Sequence, residues 1–169
     1  MKRTNRHNDG KQFESCVETV LRQYQSRGLF RARKVDPPAR VLGTGAARRV
    51  IFQANPFLDY VGVWSERNGR AVFFEAKSTA EARLPFGGDH GLTGAQIESM
   101  RHWHAHGAIT FCLWEVRGVA RVSLITLGNL DAARKDGMKS LTWNYAEEVP
   151  KGTGFVVFDF LVILRKLWP

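Results

Sequence analysis

Glu75 and Lys77 stand two residues apart in Ala71-Val72-Phe73-Phe74-Glu75-Ala76-Lys77, an otherwise apolar, β-rich run. Positions i and i+2 of a strand leave the same face, so a carboxylate and an ammonium share one side of a sheet. Charges in such a run are costly unless paired or liganded. Asp59 opens an earlier β-rich run, Asp59-Tyr60-Val61-Gly62-Val63-Trp64, and Asn68-Gly69 between the two runs is a strong hairpin signal. Two carboxylates and a lysine on one face suit metal-assisted phosphodiester hydrolysis. Hard oxygen ligands hold Mg²⁺, and the ion acidifies water and offsets phosphate charge. The lysine orients or deprotonates the attacking water, or stabilises the pentacovalent phosphate. By itself, Glu-x-Lys more often describes a salt bridge on an edge strand.

The hairpin register tests this grouping. A two-residue Asn68-Gly69 turn pairs Gly62 with Glu75 and Tyr60 with Lys77, which turns Asp59 to the opposite face. An odd loop or a bulge, at Gly62 or at the turn itself, places Asp59 opposite Lys77. The chemistry predicts such a device.

The elements that must position these residues are legible around them. Phe13, Cys16, Val17, Val20, Leu21 and Tyr24 recur at spacings of three and four, predicting a helix over 12–27 with one buried stripe and a stop at Gly28. Arg31 to Ile51, with Pro37-Pro38 and Gly43-Thr44-Gly45, reads as two short strands joined by a Gly-rich turn, a projecting hairpin or a loop. Thr93 opens a helix to His106, with Gln96 as capping-box partner and Gly107 past its end. Residues 108–116 and 120–127 are β-rich, a short helix follows near 129–135, and the apolar stretch 155–167 turns helical from Asp159. The order α-β-β-β-α-β-β-α predicts an α/β sheet with helices on both sides.

The chain has 169 residues, of which 44% are apolar and 24% charged, so the whole is a folded protein of about one domain rather than a disordered one. Residues 1–49 hold 12 Lys/Arg (Lys2, Arg3, Arg6, Lys11, Arg22, Arg27, Arg31, Arg33, Lys34, Arg40, Arg48, Arg49) against four acids, a charge of +8 out of a total of +9. A field this lopsided favours a polyanion, because each phosphate neutralised releases condensed counterions. Nucleic acid fits better than a membrane. No basic amphipathic helix with exposed Trp or Leu accompanies the charge, and no apolar run reaches the roughly 18 residues of a membrane span. No secretory signal is evident, and Cys16 and Cys112 read as buried thiols of a reducing compartment, so a cytoplasmic protein is expected.

Several linked motifs then converge. Asp59-x15-Glu75-x-Lys77, after a helix carrying Glu14 and before one opening with Gln96, resembles the D/E-x-K nuclease superfamily in order and spacing. Phe73-Phe74-Glu75-Ala76-Lys77-Ser78-Thr79 resembles the FEAK-x-T signature of the RecU-type Holliday junction resolvases. Asp59-Tyr60-Val61-Gly62, Leu84-Pro85-Phe86 and Gln96-Ile97-Glu98-Ser99-Met100 are similar to that family's other short motifs. The resemblance implies a restriction-endonuclease-like fold, a mixed central β-sheet flanked by helices, forming a single nuclease domain over 1–169. A short basic hairpin, or stalk, over 37–52 projects from it. It further implies a Mg²⁺-dependent endonuclease, with Mn²⁺ as substitute, that acts as a homodimer on branched DNA and needs no nucleotide cofactor. Asp59 and Glu75 look like metal ligands with the backbone carbonyl of Ala76, Glu14 completes the site through water, and Lys77 looks like the catalytic lysine. Gln96 looks like the glutamine near the scissile phosphate. DNA contacts are expected from Lys11, Arg31, Arg33, Lys34, Arg40, Arg48, Arg49 and Thr79.

Other chemistry fares worse. His102 and His106 share a helix face but lack an acid that completes a zinc site. Gly43-Thr44-Gly45 lacks the Lys-Ser/Thr continuation of a phosphate loop. Phe111 and Trp114, with Trp103, read as core. Two rivals stay open: a D/E-x-K nuclease for flaps, single strands or a restriction site, and a DNA-binding module without catalysis.

Overall fold

A single apolar stripe needs a sheet to bury it, and this chain supplies two helical layers with one sheet between them. The computed structural model describes residues 7–37, 39–52, 58–88, 91–153 and 156–169. Lys2, Arg3, Arg6, Pro38 and Phe155 lie outside the described residues. Helix α1 (His7–Ser26) leads into β1 (Phe30–Lys34), a hairpin of β2 (Ala39–Leu42) and β3 (Arg49–Phe52), then β4 (Tyr60–Trp64) and β5 (Arg70–Thr79). After β6 (Leu84–Pro85) come α2 (Gly94–Ala105), β7 (Ile109–Val116), β8 (Arg121–Ile125) and α3 (Leu127–Lys135), then β9 (Ser140–Leu141), β10 (Glu147–Glu148) and α4 (Phe160–Leu167).

The central sheet has the order β1-β4-β5-β7-β8-β10. Only β5 and β7 run parallel, and α2 makes the crossover between them, so the sheet is mixed as expected. Pairs β2-β3 and β6-β9 form two small separate sheets. One face of the central sheet is covered by α1 and α4. There Phe160 meets the rings of Tyr24, Phe30, Phe74 and Phe111 at centroid distances of 5.1 to 6.0 Å. The other face is covered by α2 and α3, which bury Ile97, Met100 and Leu130 against Phe73, Cys112, Trp114 and Ile125. Trp103 stacks on Phe73 at 4.2 Å, and Trp114 and Phe111 are fully buried, as core readings require.

Two expectations need correction. The stretch from Arg31 is not one hairpin: its first part, β1, is the edge strand of the central sheet and pairs antiparallel with β4. Its period-2 pattern is masked because only Phe30 is a large apolar residue, while Arg31 and Arg33 face solvent. The second part does form the ribbon β2-β3, with Val41 opposite Val50 and with Val41, Leu42, Val50 and Ile51 all exposed. The β4-β5 connection is an odd loop, as expected, but it sets Asp59 against a different partner. It is a five-residue loop in which Ser65–Arg67 make a short 3₁₀ turn and Asn68 and Gly69 take positive φ of 54° and 70°. Tyr60 therefore pairs with Phe74, and Asp59 lies opposite Glu75 rather than Lys77. Gly62, a suspected bulge, sits in regular pairing opposite Ala32. A Cβ there would lie 2.2 Å from the Arg31 carbonyl oxygen, so glycine permits β1 to approach β4.

Candidate active site

Antiparallel partners share a face, so the register puts Asp59 beside Glu75, with Lys77 two residues further along. Two reciprocal hydrogen bonds extend the pairing past the last ladder residues. The Asp59 amide donates to Glu75 Oε2 at 3.2 Å, and the Ala76 amide donates to Asp59 Oδ2 at 3.3 Å. Glu75 is buried, 1% exposed, while Asp59 is half-buried. Lys77 Nζ lies 2.8 Å from Glu75 Oε1, and Gln96 Nε2 donates to that same oxygen at 2.5 Å.

Gln96 performs two tasks at once. Its Oε1 accepts from the Thr93 amide at 3.0 Å while its backbone N–H donates to Thr93 Oγ1, completing the capping box of α2. The remaining nitrogen reaches Glu75. The cap fixes the amide plane, and the fixed plane aims a donor at the buried carboxylate.

Burial, then the neighbouring Asp59 carboxylate, pushes the Glu75 carboxyl up to about 8, against the pull of Lys77. Burial lowers Lys77, but the Glu75 contact outweighs it and keeps the ammonium charged. Beneath them the Cys112 thiol is raised by burial and then by Glu75, so it stays neutral. The raised Glu75 has a stability consequence. A folded carboxyl titrating near 8 holds a proton that the unfolded chain gives up near 4.5, so unfolding releases a proton between those values. In EDTA, stability is therefore expected to fall as pH rises from about 5 to 8, and Glu75→Gln should flatten that slope. Urea midpoints across this range check it, and equal slopes for both proteins would count against a neutral Glu75.

The other expected site residues divide. Glu14, on α1, does not join the pair directly. Its Oε2 accepts from Lys34 Nζ at 2.5 Å, on the face of the sheet that carries α1. Lys34, expected to touch DNA, is thereby committed to a protein carboxylate. Among the described residues no group of three or more His, Cys, Asp or Glu side chains is close enough to hold a metal ion. Thr79, also expected at DNA, is buried instead: its hydroxyl donates to the Glu81 carbonyl and accepts from Trp114 Nε1, which ties the end of β5 to β7. Arg31 and Arg33 are exposed and, through their partners Val63 and Val61, lie on the face of Asp59 and Glu75. Val63 is 41% exposed, so that part of the face is open. Lys11 is exposed on α1, and Arg40, Arg48 and Arg49 are exposed on the ribbon.

Two participants escaped the sequence reading. Glu18 lies one helical turn after Glu14, and its charge acts on Lys34, a relation the i, i+4 spacing carries. Tyr60 is fully buried, and its hydroxyl has no hydrogen-bond partner among the described residues, while Glu14, Glu18, Asp59 and Glu75 all bear on it electrostatically.

The donor set fits a hard divalent cation. Two carboxylates oppose each other across adjacent strands, and the buried one needs either a proton or a cation for compensation. Asp59, Glu75 and the Ala76 carbonyl are the oxygens that would hold it.

The family model described as Recombination protein U matches residues 8–162. No curated protein matches the sequence. Among solved structures, Hjc, a Holliday junction resolvase from the archaeal hyperthermophile Archaeoglobus fulgidus, is similar in fold. It shares 17% identity over 82% of this chain and 95% of its own, with a TM-score of 0.51.

Proposed function

The chain belongs to the recombination protein U family, and from that premise we propose that it resolves four-way DNA junctions as a metal-dependent endonuclease. The reading includes a homodimer that places paired, opposed nicks in two strands, working on DNA in the cytoplasm. The observation that supports it most is the register that sets Asp59 against Glu75 with Lys77 on the same face.

Mg²⁺, or Mn²⁺ in its place, would be held by Asp59, Glu75 and the Ala76 carbonyl, with Glu14 reached through water. Such an ion supplies Lewis-acid charge to the phosphate and lowers the pKa of water at the site. The chain's own residues do the rest. Glu75 anchors Lys77, so its ammonium is presented at a fixed point beside the carboxylates, where it balances charge developing on the phosphoryl oxygens. Gln96 holds Glu75 in its rotamer from the rigid start of α2. Arg31 and Arg33 line the open sheet face as backbone contacts that position a strand without reading its sequence. The ribbon β2-β3 offers Arg40, Arg48 and Arg49 to phosphates, and Val41 and Val50 as an aliphatic wedge for an unstacked branch point.

Incubation with a labelled four-way junction and with matched linear duplex, in Mg²⁺ and in EDTA, tests this. Symmetric paired nicks at the branch point, absent in EDTA and on duplex, are expected. Cutting of flaps, single strands or duplex instead assigns the same chemistry to another substrate, and metal-independent binding without cutting reduces the protein to a DNA-binding module.

A further inference from the structure

Thr93 caps α2, and only the Gln96 side chain separates its hydroxyl from Glu75. Extended backbone at Thr93 (φ −71°, ψ 157°) turns that hydroxyl into the first turn of the helix, where it accepts from the Gln96 backbone N–H at 3.2 Å. The same hydroxyl donates to Gln96 Oε1 at 3.2 Å, and the Thr93 amide donates to that oxygen at 3.0 Å. Both lone pairs of Oε1 are thus taken by one residue. The other end of the amide, Nε2, donates to Glu75 Oε1 at 2.5 Å. Thr93 is itself held from behind. The Leu92 amide donates to the Pro85 carbonyl at 3.0 Å and the Gly87 amide to the Leu92 carbonyl at 2.7 Å, which fastens the cap to β6. A Cβ at Gly91 would lie 2.3 Å from the Pro85 and Gly87 carbonyl oxygens, so only glycine fits there.

From these contacts we infer that Thr93 is a positioning residue for cleavage, acting through Gln96 to hold the Glu75 carboxyl where Asp59 and Lys77 meet it. The two ends of a glutamine amide are alike in shape and opposite in hydrogen-bonding sense. Turned over, Gln96 would present an acceptor to Glu75 Oε1, an oxygen that already accepts from Lys77. The two Thr93 donors together oppose that orientation, since it would set Nε2 against them. Capping the helix needs only an acceptor at position 93. Aiming the amide needs the hydroxyl proton as well, and that difference separates positioning from capping.

The inference rests on the junction-cleaving reading, and the test separates the two. It uses the full chain with three substitutions at one position. Thr93→Ser keeps acceptor and proton, and Thr93→Val loses both. Thr93→Asp keeps an acceptor that caps helices well, but it brings no proton and draws the NH₂ end of Gln96 toward itself. Single-turnover cleavage of a labelled four-way junction is measured at saturating protein and Mg²⁺, at a temperature where circular dichroism shows each variant folded. The Gln96 side-chain amide is followed by ¹⁵N-edited NMR, its signals identified by their loss in Gln96→Glu. Thr93→Val and Thr93→Asp are each expected to cleave about 10- to 100-fold more slowly, the range for groups that orient a ligand, with the Gln96 amide signals moved. Junction affinity in gel shifts should stay unchanged for Thr93→Val, and Thr93→Ser should match the wild type in rate and signals. If Thr93→Asp fails to fold, Thr93→Val against Thr93→Ser decides. A wild-type rate in folded Thr93→Val or Thr93→Asp, or a loss in Thr93→Ser equal to that in Thr93→Val, would overturn the inference and leave Thr93 a helix cap in an intact nuclease. A wild type that cuts no junction would sink the cleavage reading itself, and this inference with it.

Discussion

Replacing Asp59 with Asn is expected to slow junction cleavage by at least about 10³-fold while junction binding holds or tightens. The amide keeps the size of the side chain and an oxygen for the Ala76 N–H, so the β4-β5 stitching survives. What goes is one of the two carboxyl groups that lie side by side across the strands. Lewis-acid stabilisation of a transferring phosphate is worth several kcal/mol, and about 4 kcal/mol corresponds to roughly 10³ in rate. Binding moves the other way, because one fewer carboxylate repels phosphates on a face otherwise lined by Arg31 and Arg33. Single-turnover cleavage and gel shifts on the same labelled junction measure both. Nicking at the wild-type rate would remove Asp59 from the chemistry.

Lys77→Met is expected to cost about 10² to 10³ in the same single-turnover rate, the range for removing one preorganised donor that stabilises developing charge. Methionine keeps an unbranched stem at the position opposite Trp114 but takes the cation away from Glu75. The Glu75 carboxyl then keeps only the Gln96 amide and the Asp59 N–H, and its proton is harder to remove. Measuring the rate at saturating Mn²⁺ separates two contributions. A loss that persists at saturation belongs to the ammonium acting on the phosphate, whereas one that vanishes reflects weaker metal binding through Glu75. An unimpaired rate at every Mn²⁺ concentration would leave Lys77 as a salt-bridge partner only.

What the sequence disclosed follows from how local each signal is. The first helix, the capping box at Thr93 and the helix from Asp159 are written within a turn or two of chain, and the structure forms all three, with the first beginning at His7 rather than 12. Asn68-Gly69 announced a reversal of the chain correctly, but its length depended on Trp64 and Arg165 capturing Glu66 to form the 3₁₀ turn, a long-range contact no dipeptide encodes. Parity of the hairpin nevertheless came out as the chemistry demanded, with Asp59 beside Glu75, two residues along β5 from the expected partner. The Glu14–Lys34 pair joins a helix to an edge strand, and the sequence offers no periodicity to connect them. Thr79 shows the reverse case: a motif position that looks available in one dimension is enclosed by an indole from the neighbouring parallel strand.

The bare ribbon β2-β3 has a bearing on colloidal behaviour. Two strands with valine, leucine and isoleucine open to water on both sides resemble the segments that seed self-association when unguarded. Arg40, Arg48 and Arg49 interrupt this strip as gatekeepers, so molecules in free solution repel one another along it. Beside a polyanion that repulsion is cancelled, and greasy ribbons from separate copies are then free to meet. Clustering of copies is therefore expected beside a neutralising polyanion and not in free solution, a contrast that light scattering with and without DNA measures.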